Sequence, residues 1–524
     1  MRVQGAPCRR AAAQWGPAEG ERGVERLDGA AVRAWAQAAA ELLVHAAPRI
    51  DAVNVFPVPD SDTGTNVRLT VAGGARRAAK APEAAGAKLV ARAFASGALT
   101  AARGSSGVIV SQWLAGFASA LPDDETSSPS AVAAALDAAA TAAREAVALP
   151  QEGTVLTVAR LVAEEAHHAA RTGAVASDLL GPALDQARHG LARISAEHPV
   201  LREAHVVDAG ACALLVVLEA LDHTLSHPGD APSLDWLPER GVAADQLAAW
   251  RAAEPGGAYE VMALVCPEEP ADLGPALRAR LAEVGDSVAV VGADDLWHVH
   301  VHTDDPAAAI RAAHLGDRTQ VVVRLVEGAA QQVAAGDDLG LVIATGEAGM
   351  ARFFATGGAV VVVRCPEEPV TAEHLARAVA DTAAPRVVLL AGDDELAGPA
   401  RAVVVGGVDV ELVGAPDVLA TAVAALAVLG GPGEAATRAD EAAAAVARMR
   451  TADVDVWGDL AETARALVEE AAGSAQAVTV QHGPGDAYDD AVALRDWLEA
   501  AFPDLGVVLV GPVAGGPRWR IGVD

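Results

Sequence analysis

The spacing of apolar residues changes once along this chain, and that change limits the folds open to it. Before residue 222 the apolar positions recur every three or four residues, whereas after Tyr259 they fall in short runs separated by turns. One early face consists of Val32, Trp35, Ala39, Leu42 and Ala46. This spacing is typical of an amphipathic helix, for which Asp28 is the predicted N-cap. The pattern predicts an all-α region followed by mixed α and β structure.

The length of 524 residues is too great for one ordinary core, so we expect a multidomain protein. After the helical region, strands are predicted over Tyr259–Cys266, Ser287–Val291, Leu296–Thr303, Gly340–Thr345, Val360–Val363, Val387–Leu390, Val507–Val510 and Trp519–Val523. The predicted divisions are a flexible extension over 1–26, a helical domain over 27–225, a linker over 226–257, a small α+β middle domain over 258–335 and a C-terminal α/β domain over 336–524.

Composition excludes several classes of partner. The formal net charge of −31 would repel nucleic acid and anionic membranes, so neither is expected as a main partner. The longest apolar run, Val418–Gly431, is too short to span a bilayer, and no secretory signal is evident. With four scattered cysteines, the expectation is a soluble, reduced, cytoplasmic protein.

An acidic turn at Asn54–Asn66 is the strongest functional signal. Its sequence, NVFPVPDSDTGTN, places Asp60 and Asp62 two residues apart, ahead of hydroxyl and glycine residues. Clustered carboxylates suit Mg²⁺, which completes its coordination with water and phosphate. The alternative is an ordinary solvated turn, since Asp and Gly are common turn residues.

Three further turns share one design, in which small or hydroxyl residues are followed at once by an apolar helix. They are 103–107, 152–154 and 208–210. A helix N-terminus offers free N–H groups and a positive dipole end to phosphate, although each turn alone could be an ordinary capped helix. If these turns meet at one end of a helical bundle, they form a site for a nucleotide with its metal.

These motifs resemble the ATP-binding domain of the dihydroxyacetone kinase L-subunit family, and most specifically the fatty acid kinase catalytic subunits. The segments that carry the resemblance are NVFPVPDSDTGTN, ARGSSGVIVSQ (Ala102–Gln112), EGTVLTV (Glu152–Val158), VVDAGACALLVVLEAL (Val206–Leu221) and GDSVAVVGADDLWHVHVHTDDP (Gly285–Pro306). The resemblance implies an N-terminal helical barrel that binds the nucleotide at one rim. Between residues 340 and 500 it is weak.

The resemblance also implies roles for individual residues. Asp60 and Asp62 would hold Mg²⁺, with Asn54 as a third candidate ligand. ATP would be bound by Thr63, Gly64, Asn66, Ser105, Ser106, Gly107, Thr154, Asp208 and Gly210, with Ser106 at the terminal phosphates. Arg103 is a candidate for neutralising phosphate charge, or else a surface cation. Ser61, Ser105 and Ala211 depart from the Gly, Asn and Gly of the family pattern.

Three histidines alternate along one predicted strand, at positions 298, 300 and 302. Alternate strand residues share a face at a spacing of about 7 Å, which suits Zn²⁺ ligation, although a polar strand surface is the alternative. In the family the pair matching His300 and His302 binds zinc together with a cysteine. Glu260 stands at that cysteine position, so Glu260 or the nearby Cys266 could complete the site, or the metal could be lost.

The leading hypothesis from this resemblance is a kinase that transfers the γ-phosphoryl group of ATP to a fatty acid presented by a fatty-acid-binding carrier protein. The alternatives are a kinase for a small hydroxy-ketone such as dihydroxyacetone and a non-catalytic nucleotide-binding scaffold. A homodimer is also left open. Two C-terminal loops that carry sequence motifs in the family lack those motifs in this chain, at Val363–Thr371 and Leu390–Leu396.

Overall fold

A computed structural model describes residues 26–524 except 57–58, 124–125, 228–231, 240, 242–256, 294, 327–338, 431–434 and 472–474. Nearly all of the predicted extension and much of the predicted linker therefore lie outside the described residues. The described part of the linker packs on the helical domain, because Leu237 is buried and Arg49 donates to the carbonyl oxygen of Leu234 at 2.9 Å.

The helical domain confirms the predicted all-α region. Its helices are α1 (Gly29–Asp51), α2 (Thr63–Ala79), α3 (Ala87–Ala101), α4 (Gly104–Ala120), α5 (Pro129–Ala146), α6 (Val155–Arg171), α7 (Gly181–Ser195), α8 (Pro199–Ala204) and α9 (Ala209–Ser226), with a short ribbon of β1 (Leu27–Asp28) and β2 (Thr126–Ser127). From α1 to α6 each helix packs on the next, and α9 packs on both α6 and α1. The result is a closed ring of helices.

The core of this ring is centred on Trp35. Its indole lies edge-on to Phe94 and Phe117, with ring centroids 5.3 Å apart in both pairs, and donates a hydrogen bond to the carbonyl oxygen of Val217 at 2.9 Å. Helix α1 starts as predicted, because Asp28 Oδ1 accepts the N–H of Ala31 at 2.8 Å. Helix α9 is long and apolar enough to cross a membrane by length and composition, but 72% of it is buried inside the domain.

An antiparallel half-sheet follows the helical domain. It contains β3 (Tyr259–Cys266), β4 (Asp286–Ala293), β5 (Leu296–Thr303) and β6 (Asp317–Leu325), with helices α10 (Gly274–Ala282) and α11 (Pro306–Ala312). Strand β3 lies between β5 and β6, and β4 forms the outer edge. In this register Glu260 lies opposite His302 on one side and Arg324 on the other.

The sheet continues beyond the predicted division at residue 336, which falls in a segment outside the described residues. Strand β6 pairs with β8, and the complete order is β10-β9-β7-β8-β6-β3-β5-β4, whose first four strands are parallel to one another. The added elements are β7 (Leu339–Thr345), α12 (Ala351–Thr356), β8 (Val360–Val363), α13 (Ala372–Asp381), β9 (Arg386–Ala391), α14 (Asp394–Arg401), β10 (Asp409–Gly414), α15 (Val418–Gly430) and α16 (Ala435–Arg448).

The predicted C-terminal α/β region also contains a second sheet. Its strands run in the order β11-β14-β12-β13 and pack a separate hydrophobic core that includes Trp519. Its elements are β11 (Arg450–Val454), α17 (Trp457–Glu470), β12 (Ala477–His482), α18 (Ala487–Ala501), β13 (Gly506–Val510) and β14 (Trp519–Val523).

The two loops that lack the family motifs lie close together at the ends of β8 and β9. Arg364 follows β8, and its Nη2 lies 2.8 Å from Asp393 Oδ2, while its Nη1 contacts Glu395. An ion-pair cluster therefore joins the two loops.

Truncation of Trp35 tests how far the helical ring depends on its aromatic core. We expect Trp35→Ala to destabilise the helical domain by about 3–5 kcal/mol, because it leaves a large cavity and removes a buried hydrogen bond. Val44→Ala on the exposed side of the same helix is the control and should cost less than about 0.5 kcal/mol. Urea unfolding followed by far-ultraviolet circular dichroism measures both changes, and equal effects would contradict this assignment of the core.

Candidate functional site

Two side chains at and just after the end of α1, the partly buried Asp51 and the buried Asn54, hold the acidic turn in place. Asn54 Oδ1 accepts the N–H groups of Asp62 and Thr63 at 3.3 and 2.9 Å. Asp51 Oδ1 accepts those of Gly64 and Thr65 at 2.6 and 3.1 Å, and burial raises the pKa of Asp51 to about 6. These bonds satisfy the first N–H groups of α2. Ser61, at the expected glycine position, has a φ of 60°, a left-handed conformation that is unfavourable for a serine.

The two aspartates of the turn face the middle domain. Asp62 Oδ2 lies 3.0 Å from Arg324 Nη2, and Asp60 lines the same narrow cleft together with Glu260 and His302. Burial and the neighbouring Asp62 carboxylate raise the pKa of Asp60 well above its usual value. The cleft therefore holds more negative charge than a single guanidinium balances. A divalent cation would relieve this repulsion, so the residues fit a magnesium site.

A cavity of about 540 Å³ lies beside this turn, between the helical domain and the middle domain. Five of the predicted nucleotide-binding residues line it: Ser105, Ser106, Thr154, Asp208 and Gly210. Its wall also includes Phe56, Ile109, Leu149 and Leu156, and the middle domain contributes Ala282, Gly285, Asp286, Ser287 and Val288. The three predicted turns at 103–107, 152–154 and 208–210 thus share one cavity, which has both apolar and polar walls.

The acidic turn connects directly to this cavity. Thr63 Oγ1 lies 3.2 Å from Ser106 Oγ, which joins the starts of α2 and α4. Gly104 has a φ of +56°, and a Cβ atom there would lie 2.3 Å from Asn66 Nδ2. Asn66 therefore packs under the second turn, and a side chain at 104 would separate the two helix starts. The N–H of Gly107 donates a hydrogen bond to the carbonyl oxygen of Arg103 at 3.0 Å, which closes the first turn of α4.

Asp208 joins the starts of α6 and α9. Its Oδ2 accepts the N–H of Val155 at 2.8 Å and that of Ala211 at 2.7 Å, and burial raises its pKa to about 6. Thr154 is the N-cap of α6, with its hydroxyl donating to the carbonyl oxygen of Gln151 at 2.8 Å. Asp208 and Thr154 therefore shape the cavity wall and also cap helices.

One predicted site residue, Arg103, lies away from the cavity. The Arg103 guanidinium points away from the cavity, because its Nε pairs with Asp381 Oδ1 at 2.5 Å and its Nη1 donates to the carbonyl oxygens of Ala101 and Ala102. Arg103 thus does not face the phosphate turns. Asn54 Oδ1 accepts two N–H groups of the acidic turn, so in this structure the side chain supports the turn.

The histidine strand forms a buried cluster with Glu260. One ligand atom each from Glu260, His300 and His302 lie within 4.8 Å of one another. Two imidazoles and a carboxylate are a donor set that zinc accepts. Burial holds the pKa of His302 near 3, so its ring is neutral, as metal ligation requires. The residues therefore fit zinc, with Glu260 in place of the cysteine. Cys266 is six residues further along β3, about 20 Å away.

His298 does not join this cluster. It lines a small cavity with Arg103, Arg377 and Asp381, where burial lowers its pKa to about 3.

Sequence reasoning missed three contributors to the site. Asp51 lies 13 residues before Gly64 and carries no motif. Arg324 lies 262 residues from Asp62, and its strand position gives no functional signal. The cavity wall at 282–288 comes from the middle domain, where α10 leads into the start of β4 and Ser287 has a φ of 50° at an irregularity in the pairing of β4 with β5. The two-residue alternation of β3 and β6 indicates only the face of the sheet, since Glu260 and Arg324 lie opposite to the core residues Val261 and Val323.

Comparison with known proteins agrees with this architecture. Residues 57–223 match the DAK2 domain family, which covers most of the helical ring. The part of the chain that holds Asp60 and Asp62 is thus similar to DAK2 domains. Residues 257–331 match the middle domain of the FakA-like fatty acid kinase proteins. The chain therefore contains a DAK2 domain followed by a FakA-like middle domain, which confirms the resemblance found in its motifs.

Two relatives show the extent of the similarity. Protein YloV of Bacillus subtilis is 34% identical over 309 residues, which are 57% of this chain and 56% of the relative. Uncharacterized protein SSP1546 of Staphylococcus saprophyticus is 31% identical over 293 residues, 54% of this chain and 52% of the relative. The chain spans about half the length of the curated relatives it matches.

Metal analysis tests the Glu260–His300–His302 cluster. We expect the purified full chain to contain about one equivalent of zinc, and His302→Ala to lose most of it, because one of three protein ligands is removed. His298→Ala is the matched control, since it removes another buried histidine of the same strand. Inductively coupled plasma mass spectrometry after dialysis measures the content. A wild-type chain free of zinc, or an equal loss in both variants, would contradict the site.

Proposed function

We propose that this protein is an ATP-dependent phosphotransferase that phosphorylates the carboxylate of a fatty acid presented by a carrier protein. The observation that carries the proposal is the meeting of the helix starts of α4, α6 and α9 around one cavity of about 540 Å³. The start of α2 adjoins it through the contact of Thr63 with Ser106, and the Asp60–Asp62 pair lines the neighbouring cleft. This arrangement supports a nucleotide whose phosphates lie at the Ser106 end, beside the aspartates. The apolar wall, which includes Phe56 and Ile109, suits a base.

The chain's own residues would act mainly by positioning and by charge. Phosphoryl transfer requires little covalent help from a protein, so fixed donors and neutralised charge supply most of the catalysis. When bound, Mg²⁺ neutralises phosphate charge and orients the phosphates. Asp60 and Asp62 would hold it, while the N–H groups and hydroxyls near Ser106 and Thr63 would bind phosphate oxygens. Glu260, His300 and His302 would hold zinc close to the same cleft.

Transfer of the phosphoryl group to a carboxylate needs no general base. A carboxylate oxygen of the fatty acid bonds to the γ-phosphorus, the bond from that phosphorus to the β–γ bridging oxygen breaks, and ADP leaves with the electron pair. A carboxylate is already ionised at pH 7, so no proton has to be removed. A hydroxy-ketone substrate would need a base instead. No His–carboxylate pair lines the described part of the 540 Å³ cavity, which favours the carboxylate substrate.

One observation favours the scaffold alternative. The loops after β8 and β9 are joined by the ion pairs of Arg364 with Asp393 and Glu395, where the family carries different motifs. A chain that has lost carrier recognition could still bind a nucleotide.

Turnover separates these functions. The full chain should hydrolyse or transfer the γ-phosphoryl of ATP when a fatty acid on a lipid-binding carrier protein is supplied, and this is measured by ADP release and by acyl phosphate trapped with hydroxylamine. Dihydroxyacetone in place of the fatty acid tests the hydroxy-ketone alternative. Nucleotide binding without turnover under any of these conditions would favour the scaffold.

Removal of the two aspartates tests the metal turn. Asp60→Ala with Asp62→Ala should lower the affinity for Mg-ATP about 100-fold or more, because the carboxylates that hold the cation are gone. Asp489→Ala with Asp490→Ala, in the first turn of α18, removes the same charge far from the cavity and should leave the affinity unchanged. Calorimetric titration measures both. Unchanged affinity in the first double variant would refute the site.

A further inference from the structure

Arg324 forms an ion pair with Asp62 of the aspartate pair, and it comes from the middle domain. It lies on β6 opposite Glu260, and its Nε contacts the Glu260 carboxylate. From there the side chain leaves the sheet and reaches Asp62 Oδ2 with Nη2, at 3.0 Å. A single guanidinium thus connects the histidine cluster of one domain to the acidic turn of the other.

The charges around Arg324 are unbalanced. Asp60, Asp62 and Glu260 line one cleft, where they face this single arginine. Burial opposes the charged form of Arg324, but the Glu260 and Asp62 carboxylates outweigh it and raise its pKa further, so the side chain stays a cation. A divalent ion on Asp60 and Asp62 would share the charge of Asp62 and weaken its attraction for Arg324. Loading of the site therefore favours release of the guanidinium from Asp62.

The released guanidinium would lie beside the phosphate end of the cavity. Asp62 directly precedes Thr63, whose hydroxyl lies 3.2 Å from that of Ser106. Among the described residues the partners of Arg324 use Nε and Nη2, which leaves Nη1 for a further acceptor. The planar fork of an arginine suits two phosphate oxygens, and it carries its charge at any physiological pH.

We propose that Arg324 is a catalytic residue which contacts the terminal phosphate of the bound nucleotide and is held on Asp62 until the cation and nucleotide bind. This inference rests on the proposed function, because it takes Asp60 and Asp62 as the magnesium pair. The guanidinium stabilises negative charge on the non-bridging oxygens of the transferred group and exchanges no proton. Phosphoryl transfer then requires the middle domain as well as the helical domain.

A transition-state mimic tests this assignment independently of the acceptor substrate. The affinities of the full chain for Mg-ADP and for Mg-ADP with fluoroaluminate are compared in the wild type, Arg324→Met, Arg324→Lys and Arg318→Met. Arg318 is the matched control, because it lies on the same strand and forms an ion pair with Glu367 at 2.5 Å. Circular dichroism melting confirms that each variant is folded.

The wild type should bind the fluoroaluminate complex about 100-fold more tightly than Mg-ADP alone, as expected of a transition-state mimic. Arg324→Met should keep Mg-ADP affinity within about threefold and lose most of this tightening, with kcat lower by about 10³-fold. Arg324→Lys should restore part of both effects, because it keeps the charge without the fork. Arg318→Met should match the wild type.

The outcomes that overturn the inference differ from those that overturn the proposed function. Full tightening in Arg324→Met, or equal losses in Arg324→Met and Arg318→Met, would overturn the role of Arg324 and leave the kinase proposal standing. Loss of Mg-ADP binding in a folded Arg324→Met would make Arg324 a structural support and would also overturn its catalytic role. A wild-type chain that binds no Mg-ADP, or shows no tightening, would overturn the proposed function itself.

Discussion

The pairing of β3 with β5 and β6 is the constraint on which the rest of the site depends. This register lines up Arg324, Glu260 and His302 across three strands, on the face that meets the acidic turn of the helical domain. A slip of one residue in any of these strands would turn its side chain to the opposite face. The hydrophobic pattern prevents such a slip, because Val261, Val299 and Val323 alternate with the polar residues and fill the core on the other side.

Carboxylates that accept backbone N–H groups have a second organising role, since they hold helix starts in place. Asp51 fixes the start of α2, and Asp208 fixes the starts of α6 and α9 at once. Each accepts backbone N–H groups that would otherwise lack partners, so the energy of capping also sets the shape of the cavity. The free donors at the cavity are then the hydroxyls and the remaining N–H groups. These are the groups suited to an anionic ligand, and they are held in place before any ligand binds.

Much of the fold could be predicted because its signals are local. The strands Tyr259–Cys266 and Leu296–Thr303 and the cap at Asp28 follow from period, composition and one hydrogen-bonding side chain. The meeting of distant groups could not be predicted in this way. Arg324 and Asp62 are in contact although 262 positions separate them in the sequence, and no short sequence motif indicates such a contact. Arg103 adjoins a phosphate turn in sequence, yet its side chain turns to Asp381, because sequence position does not fix side-chain direction. The pairing of β6 with β8 likewise could not be predicted from local signals. The edge strand β6 of the antiparallel half-sheet pairs with β8, which belongs to the parallel strands that follow.

The cavity lies at a seam, with one wall from the helical ring and the other from residues 282–288, where α10 leads into β4. The end of α5 adds a β-bridge across this seam, between Val147 and Ala289. A ligand held between two separately packed cores contacts both of them, so its binding also stabilises their association. By thermodynamic reciprocity, whatever loosens the seam weakens ligand binding by the same factor. Substitutions at buried seam positions such as Leu99 and Val291 would therefore change ligand affinity without touching the ligand, and natural variation there would tune it.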